Sequence, residues 1–484
     1  MCGIIGLVLC DGAKPDGCLA ALTIEGLIAL QHRGTDSSGI VGTDGVLNNQ
    51  FEIVKGKGLV REVYRAEEIA KFQNAVATIG HNRYSTTGLK SATNCIQPFV
   101  VHTVSGLLAI SHNGELAHAP VERKKMLESG VGLSTDTDSE LIAQSIGKAI
   151  AVNMQSRKQK AAGDIAEELV KTLPHLMLSY SLLVMTSDRI YAVRDRYGNR
   201  PLCIGMTYTK IHSEKKPYAY IAASESCALF PMNGEFCFEL KPGEIVEISR
   251  GGCKRIHQMK PITPAFCIFE YIYFARESSV FEGQEVHTVR ETCGRLLARE
   301  TGVEADIVSA VPDSAIPAAL GYAQESGIPY RLVLNRNSYV GRSFIQPNNQ
   351  LRLTAVVRKF TLIASNVLNK RIILVDDSVV RGNTMGIIVS MLKANGAKEV
   401  HVRIASPPIK YPCFMGINMP TKKELIASNH SLEEIKGKFG ADSIKYLSID
   451  GLCEAVTKDL EKENHSTGHC TACLTGQYPL QLEW

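Results

Sequence analysis

The sequence predicts two joined folds, an α+β layered domain followed by an α/β domain with a parallel sheet. Three observations carry this reading. The chain has 484 residues, too many for one ordinary core. Up to about Gly252, short β-type runs and a few helical runs come in groups rather than in strict alternation. From about Glu270 the order becomes strand, loop, helix, strand, the pattern of βαβ units.

The elements follow in order. "CGIIGLVL" reads as a strand, and "CLAALTIEGLIALQ" has helical spacing at Leu19, Leu22, Leu27 and Leu30. "LLAISHNG" (Leu107–Gly114) reads as a strand and "SLLVMTSDRIYAVRD" (Ser181–Asp195) as a hairpin. "DTDSELIAQSIGKAIAV" starts a helix, with Thr137 or its neighbours placed to cap it and Glu140 in its first turn. "KPGEIVEISRGG" (Lys241–Gly252) closes the first region. "DIVSAVPDSAIPAALGYAQESG" and "RIILVDDSVVRGNTMGIIVSMLKANGAKEVHVRIAS" supply the βαβ units. After Lys462 the tail is polar and ends in "HCTACLTGQYPLQLEW".

Composition excludes several classes. A 45% hydrophobic and 21% charged chain can bury a large core. With 53 basic against 49 acidic residues, nucleic acid is not the expected partner, and Arg157-Lys158-Gln159-Lys160 reads as a solvated face or loop. The longest apolar stretch, near Ala265–Ala275, is short and contains Glu270, so no membrane span is expected. The apolar start meets Asp11 and Asp16 too soon for a signal peptide. Fourteen cysteines, scattered singly except Cys470 and Cys473, read as reduced thiols of a cytosolic protein.

Two stretches carry chemistry. Cys2 stands directly behind Met1. Removal of Met1, normal before a small residue, joins a thiol and a free α-amine on one residue. An α-amine with a pKa of about 7.7–8.0 is a better base near neutrality than a lysine at about 10.4. It can activate its own side chain. The alternative is an inert cysteine at a frayed end. In "RIILVDDSVVRGNT" a buried strand, Ile372–Val375, ends in Asp376 and Asp377, and small residues lead into a helix. Such a loop closes backbone N–H groups on a phosphate, helped by the helix N-terminus. The two acids suit ribose hydroxyls or Mg²⁺. The alternative is a plain βα turn. The loop lacks the Gly-Lys-Ser/Thr ending of an ATP-hydrolysing P-loop. Taken alone, Asn113-Gly114 reads as a type I′ hairpin turn, Cys470 and Cys473 as a metal or redox pair, and Cys267 and Cys413 as core thiols.

Together these stretches resemble one family. "ILVDDSVVRGNT" is similar to the phosphoribosyl-pyrophosphate (PRPP) loop of type I phosphoribosyltransferases. "CGIIG", "LQHRGTDSSGI", "GHNRYSTTG", "SHNGE", "VRDRYGNRPLCIG", "FCIFEYIYFARESS", "NSYVGRSFIQP", "ASPPIKYPCFMGINMPT" and "HCTACLTGQYP" run in order along nearly the whole chain. They resemble the glutamine PRPP amidotransferases, or amidophosphoribosyltransferases, nearest to the animal-type, [4Fe–4S]-containing form. The resemblance implies an αββα glutaminase of the N-terminal-nucleophile (Ntn hydrolase) class over residues 2–255. It implies a type I phosphoribosyltransferase domain over 256–460 and a tail over 461–484 with iron–sulfur cysteines. The implied reaction turns glutamine, PRPP and water into 5-phosphoribosylamine, glutamate and pyrophosphate, the committing step of purine synthesis.

Roles follow from the same resemblance. Cys2 attacks the glutamine side-chain amide, and Asn113 with the Gly114 N–H forms the oxyanion hole. Arg83 grips the substrate α-carboxylate, where its plain alternative is a surface salt bridge. Asp138 holds the α-amine, against helix N-terminal charge as the alternative. "STDTDSE" departs from the usual pattern but keeps this acid. Asp376, Asp377, Ser378, Arg381, Gly382, Asn383 and Thr384 bind PRPP. Ser314 joins Asp376 and Asp377 as a Mg²⁺ ligand, or caps a helix. Cys267, Cys413, Cys470 and Cys473 hold a [4Fe–4S] cluster, with zinc as runner-up. Ammonia travels inside the protein to PRPP. Inhibition by purine nucleotides such as AMP and GMP and a homo-oligomer, dimer or tetramer, are also implied. One departure stands out: relatives carry Lys-Asn-Arg where this chain has Arg336-Asn337-Ser338. A charge is lost and a lysine becomes a planar guanidinium, so weaker PRPP binding is expected. A sugar-phosphate aminating synthase shares the first domain but not the phosphate loop. A PRPP-sensing regulator keeps the loop but needs no Cys2.

Overall fold

A computed structural model describes residues 1–47, 49–84, 93–156, 165–176, 179–211, 214–260, 262–337, 339, 358–417, 419, 421–460 and 468–480. The basic run 157–160 and most of "YVGRSFIQP", with Ser338, Arg342 and Arg352, lie outside them.

The first part is a four-layer sandwich. Seven antiparallel strands form one sheet, in the order Gly234–Glu239, Cys203–Ile211, Glu214–Ala223, Gly3–Leu9, Ala77–Arg83, Ser37–Thr43, Glu52–Lys57. Six form the other, in the order Gly252–Gln258, Glu244–Ser249, Ile190–Arg194, Tyr180–Met185, Gly106–Gly114, Phe99–Thr103. The strand alternation explains the layers. Ile5, Leu7 and Leu9 face Leu19 and Leu27 of the Cys18–Ala29 helix, while Ile4 and Val8 meet Leu183 and Ile190 of the opposite sheet. On that sheet Leu182 and Val184 turn outward to Leu141 and Ile142 of the Asp138–Ser156 helix. Thr137 does cap this helix, its Oγ1 accepting from Glu140 N at 3.4 Å. The Glu140 carboxylate reaches back to the N–H groups of Ser134 and Thr135 at 2.8 and 2.6 Å. Asn113 and Gly114 are not a hairpin turn. They end a strand and pair with Ser181 and Tyr180. The strand Gly252–Gln258 runs through residue 255, so a boundary drawn there falls inside the sheet.

The second part is built on four parallel strands, Ile307–Ala310, Arg371–Asp376, Glu399–Ile404 and Ser443–Tyr446, in that spatial order. Helices cover both faces, which is why Ile372–Val375 is an unbroken apolar run. Ile373 and Val375 face the layer of helices Val286–Thr301 and Ile316–Ser326. Ile372 and Leu374 face helices Asn383–Ala394 and Leu432–Phe439. Between the two parts the chain winds a single π-type turn, Glu270–Phe274, a form that recurs at functional sites. Near the chain's end His469–Cys470 pairs in parallel with Phe266–Cys267. No helix among the described residues is long and apolar enough to cross a membrane.

Two of the covering helices touch backbone to backbone. A Cβ on Gly294 would overlap the Ala318 carbonyl, and one on Gly321 the Glu291 carbonyl. Alanine favours a helix over glycine by about 1 kcal/mol, but here the obstacle is main chain and no rotamer relieves it. Gly294→Ala should therefore destabilise the protein by about 1–3 kcal/mol, read as a lower melting temperature; an unchanged or higher value would contradict this packing.

Candidate functional site

The first site forms where the two sheets of the sandwich meet at one end. Gly3 pairs with Asn82, so Cys2 emerges beside Arg83 at the end of the neighbouring strand. Cys2 N–H donates to Asn113 Oδ1 at 3.2 Å, a bond across the two sheets. Asn113 Nδ2 is buried with no hydrogen-bond partner among the described residues, a donor available to a ligand. Gly114 has φ 152°, and a Cβ there would overlap the Ser179 carbonyl. Two residues on, Leu116 N–H donates to Asp138 Oδ2 at 2.9 Å. Asp138 is buried at the start of its helix, and Arg83 is 5% exposed. The structure thus gathers Cys2, Arg83, Asn113, Gly114 and Asp138. Two buried charged residues, Arg83 and Asp138, thus stand at the same end of the sandwich as Cys2 and the idle Asn113 amide donor. His112, near Asp138, has its pKa pushed down by burial, which favours the neutral ring.

Met1 covers Cys2 on the side of the second domain. Its side chain packs in one cluster with Phe266, Phe269 and Tyr271. Burial pushes its amine down to about 5. While Met1 stays, the Cys2 nitrogen is a peptide N–H and cannot serve as a base.

Sequence reasoning missed an ionic cluster beneath Cys2. Arg33, Arg200, Glu225 and Glu270 are fully buried together. Arg33 pairs with Glu225 and with Glu270, the latter at 2.9 Å, and Arg200 Nη1 lies 3.6 Å from Glu270. His32 adds a 2.8 Å contact to Glu225. The neighbouring cations hold the Glu225 carboxyl well below its usual range against the opposing effect of burial. Arg200 Nη2 and Ser179 Oγ both donate to the Met415 carbonyl, tying a loop of the second domain to the strand after Gly114. One signal was present: an acid inside the apolar run "CIFEYIYF" requires a buried partner.

The second site lies at the carboxyl end of the parallel sheet. Asp377 N–H donates to Asp376 Oδ1 at 3.0 Å. Ser378 Oγ donates to Asp377 Oδ1 at 2.6 Å, and Ser314 Oγ to Asp377 Oδ2. Ser314 is not a helix cap. Ala315 precedes the helix, and the Ser314 hydroxyl turns to the acid instead. Gly382 precedes the Asn383–Ala394 helix with φ 77°, and a Cβ there would lie 2.7 Å from Ile426 and Phe439. Arg381, Asn383 and Thr384 follow round this turn, and Arg381 pairs with Glu424 at 3.2 Å. A groove of about 390 Å³ on its flank is walled by Arg381, Lys423 and Lys438 together with Glu424 and His430, a polar lining in which cations outnumber acids. Arg336 pairs with Asp313, next to Ser314.

Burial pushes both Asp376 and Asp377 above the usual carboxylate range, and for Asp376 the second acid adds to it. A raised folded pKa favours the folded state in acid and works against it as pH rises through that pKa. Asp376→Asn should therefore raise the melting temperature near neutrality by roughly 2–4 °C, the response of a mid-sized domain to about 1 kcal/mol. The gain should vanish below about pH 4, where free aspartates are protonated. A loss of stability at neutral pH would contradict it.

The four cysteines named above meet at the junction of the two parts. Cys267 and Cys470 are partners in the short parallel ladder, and Ile268 N–H reaches the Cys470 carbonyl. The Cys473 carbonyl accepts from Lys410 and Tyr411, which brings it to the segment of Cys413. Cys473 is raised by burial and then by Cys413, Cys267 and Cys470, so all four thiols share one neighbourhood. Among the described residues no group of three or more His, Cys, Asp or Glu side chains stands at metal-holding geometry.

Comparison with known proteins adds a second line. A family model described as a glutamine amidotransferase domain matches residues 81–229. The chain is 47% identical over 514 residues to the amidophosphoribosyltransferase of Mus musculus, covering 100% of this chain and 98% of that protein. It is 45% identical over 512 residues to that of Homo sapiens, with coverage of 100% and 98%. A solved structure of glutamine PRPP amidotransferase from B. subtilis, complexed with ADP and GMP, superposes with TM-score 0.85 at 38% identity, covering 99% of this chain and 98% of that one.

Proposed function

The chain belongs to the amidophosphoribosyltransferase family, and from that premise we infer how its residues divide the work. The activity is glutamine-dependent amidation of PRPP, the first committed step of purine biosynthesis. The fold is an N-terminal αββα glutaminase followed by a parallel-sheet phosphoribosyltransferase domain. We divide the chain at the end of the strand that reaches Gln258.

Cys2, freed of Met1, is the nucleophile. Its own amine takes the thiol proton, and the thiolate attacks the glutamine amide carbon. Asn113 Nδ2 and the Gly114 N–H receive the oxyanion. Arg83 and Asp138 hold the substrate α-carboxylate and α-amine. Loss of ammonia leaves a glutamyl thioester, which water cleaves to glutamate. The observation that carries this reading is the Cys2 N–Asn113 Oδ1 contact beside a buried amide donor that has no partner among the described residues. The Met1 side chain packs against the second domain, so its removal opens Cys2 toward the PRPP site and gives ammonia a sheltered route.

At the second site Ser378, Arg381, Gly382, Asn383 and Thr384 cradle the 5-phosphate. Asp376, Asp377 and Ser314 fit Mg²⁺, a hard cation that takes oxygen donors and shares them with substrate phosphates. That cation would neutralise two acids that are costly to ionise together. Arg336 is occupied by Asp313, which supports weaker PRPP binding than in relatives with lysine there. Cys267, Cys413, Cys470 and Cys473 fit a [4Fe–4S] cluster as an all-thiolate set, and such a cluster would staple the tail to the domain junction. Purine nucleotides such as AMP and GMP are proposed inhibitors, supported by the ADP and GMP bound to the B. subtilis relative. A homo-oligomer in the cytosol completes the proposal.

The deciding experiment compares nitrogen sources. Cys2→Ala should lower glutamine-dependent turnover by at least about 10³-fold and leave ammonia-dependent turnover intact. Asp376→Asn with Asp377→Asn should depress both and spare basal glutamine hydrolysis. Equal loss in all assays for Cys2→Ala, or a mass showing Met1 retained in active protein, would reject the assignment. The cluster has its own check: protein made anaerobically with iron should contain about four irons per chain, and zinc without iron would reject it.

A further inference from the structure

Arg33 uses all three guanidinium nitrogens. Nε donates to the Cys2 carbonyl at 3.0 Å. Nη1 and Nη2 close on the two Glu270 oxygens at 3.0 and 2.9 Å, and Nη1 also meets Glu225. Glu225 belongs to the sandwich, yet it accepts from Arg276 N–H at 2.9 Å and Ser279 Oγ at 2.6 Å, both in the segment that enters the second domain. Glu270 begins the π-type turn of that same segment. The far side of the turn is clamped by Arg290, which donates to the carbonyls of Tyr271 at 2.7 Å and Ala275 at 2.8 Å.

We propose that Glu270 is a positioning residue for the nucleophile: it fixes Arg33, and Arg33 fixes the backbone of Cys2. The seating of the second domain's entry turn thereby sets the aim of the thiol in the first domain. This rests on the reading of Cys2 as nucleophile. Plain adhesion between domains accounts for less of what is seen. Well-packed apolar side chains join surfaces as firmly as buried ion pairs do, and adhesion needs no bond to Cys2. A bidentate carboxylate–guanidinium pair fixes direction as well as distance, which a nucleophile requires. An error of about 1 Å in the placement of reacting groups costs about a hundredfold in rate.

Glu270→Gln keeps the shape and removes the charge; Glu270→Asp keeps the charge and shortens the reach. In the full-length protein two quantities are measured on the same preparation. One is the rate at which a glutamine-shaped diazoketone alkylates Cys2, and the other is ammonia-dependent turnover with its KM for PRPP. Alkylation should slow at least about tenfold in both variants, with ammonia-dependent turnover and KM unchanged. A parallel fall in both would reduce Glu270 to a structural role and overturn the proposal, as would native alkylation rates. Should Glu270→Gln fail to fold, Arg33→Lys serves, since one ammonium cannot hold Glu270 in two-point fashion and the Cys2 carbonyl together. Failure of the nucleophile reading is separate: Cys2→Ala would then keep glutamine-dependent turnover.

Discussion

Two carboxylates and two guanidiniums lie at zero side-chain exposure where the antiparallel sandwich meets the parallel-sheet domain. Taking such charges from water costs several kcal/mol each, and only close pairing and further hydrogen bonds offset it. Those partners come from distant parts of the chain: Glu225 and Arg33 from the sandwich, Glu270 from the entry turn, and the Met415 carbonyl from the loop after the Glu399–Ile404 strand. None of the four is tolerable alone. The sandwich cannot bury Arg33 and Arg200 without the second domain, and the second domain cannot bury Glu270 without the sandwich. Domain docking and assembly of the first site are therefore one event.

The two sites solve opposite electrostatic problems. Around Cys2 the buried charges balance, and what is left open is a neutral donor, Asn113 Nδ2. That suits a reaction in which negative charge develops only briefly on a carbonyl oxygen. At the phosphate loop the charges do not balance. Asp376 and Asp377 crowd together at a sheet end, while Arg381, Lys423 and Lys438 line the flank with Glu424 among them. Such a site suits a ligand that brings both a cation and phosphates.

Much of this was legible in the sequence. The strand "CGIIGLVL", the hairpin Ser181–Asp195 and the two βαβ units appear as read, because apolar alternation and unbroken apolar runs report local burial. The candidate residues from Cys2 to Asp377 could be named because each lies in a recognisable stretch near an element's end. The ionic cluster could not. Arg33 and Glu270 are 237 residues apart; the apolar run around Glu270 hints at a buried acid, but nothing local names its partner. Asn113-Gly114 misled on its own because the pair that favours a tight turn also ends a strand whose last carbonyls face a packed neighbour. For Ser314 the helix-cap alternative falls away, since its hydroxyl turns to Asp377.

The Met415 carbonyl carries a consequence for biosynthesis. Ser179 and Arg200 wait for it across 236 and 215 residues of chain. A ribosome adding about 5–20 residues per second delivers Met415 roughly ten seconds or more after the sandwich strands are complete. During that interval Cys2, its strand, Asn113 and Gly114 exist, but the Met415 contact behind them does not. A nascent chain thus holds an unfinished glutaminase.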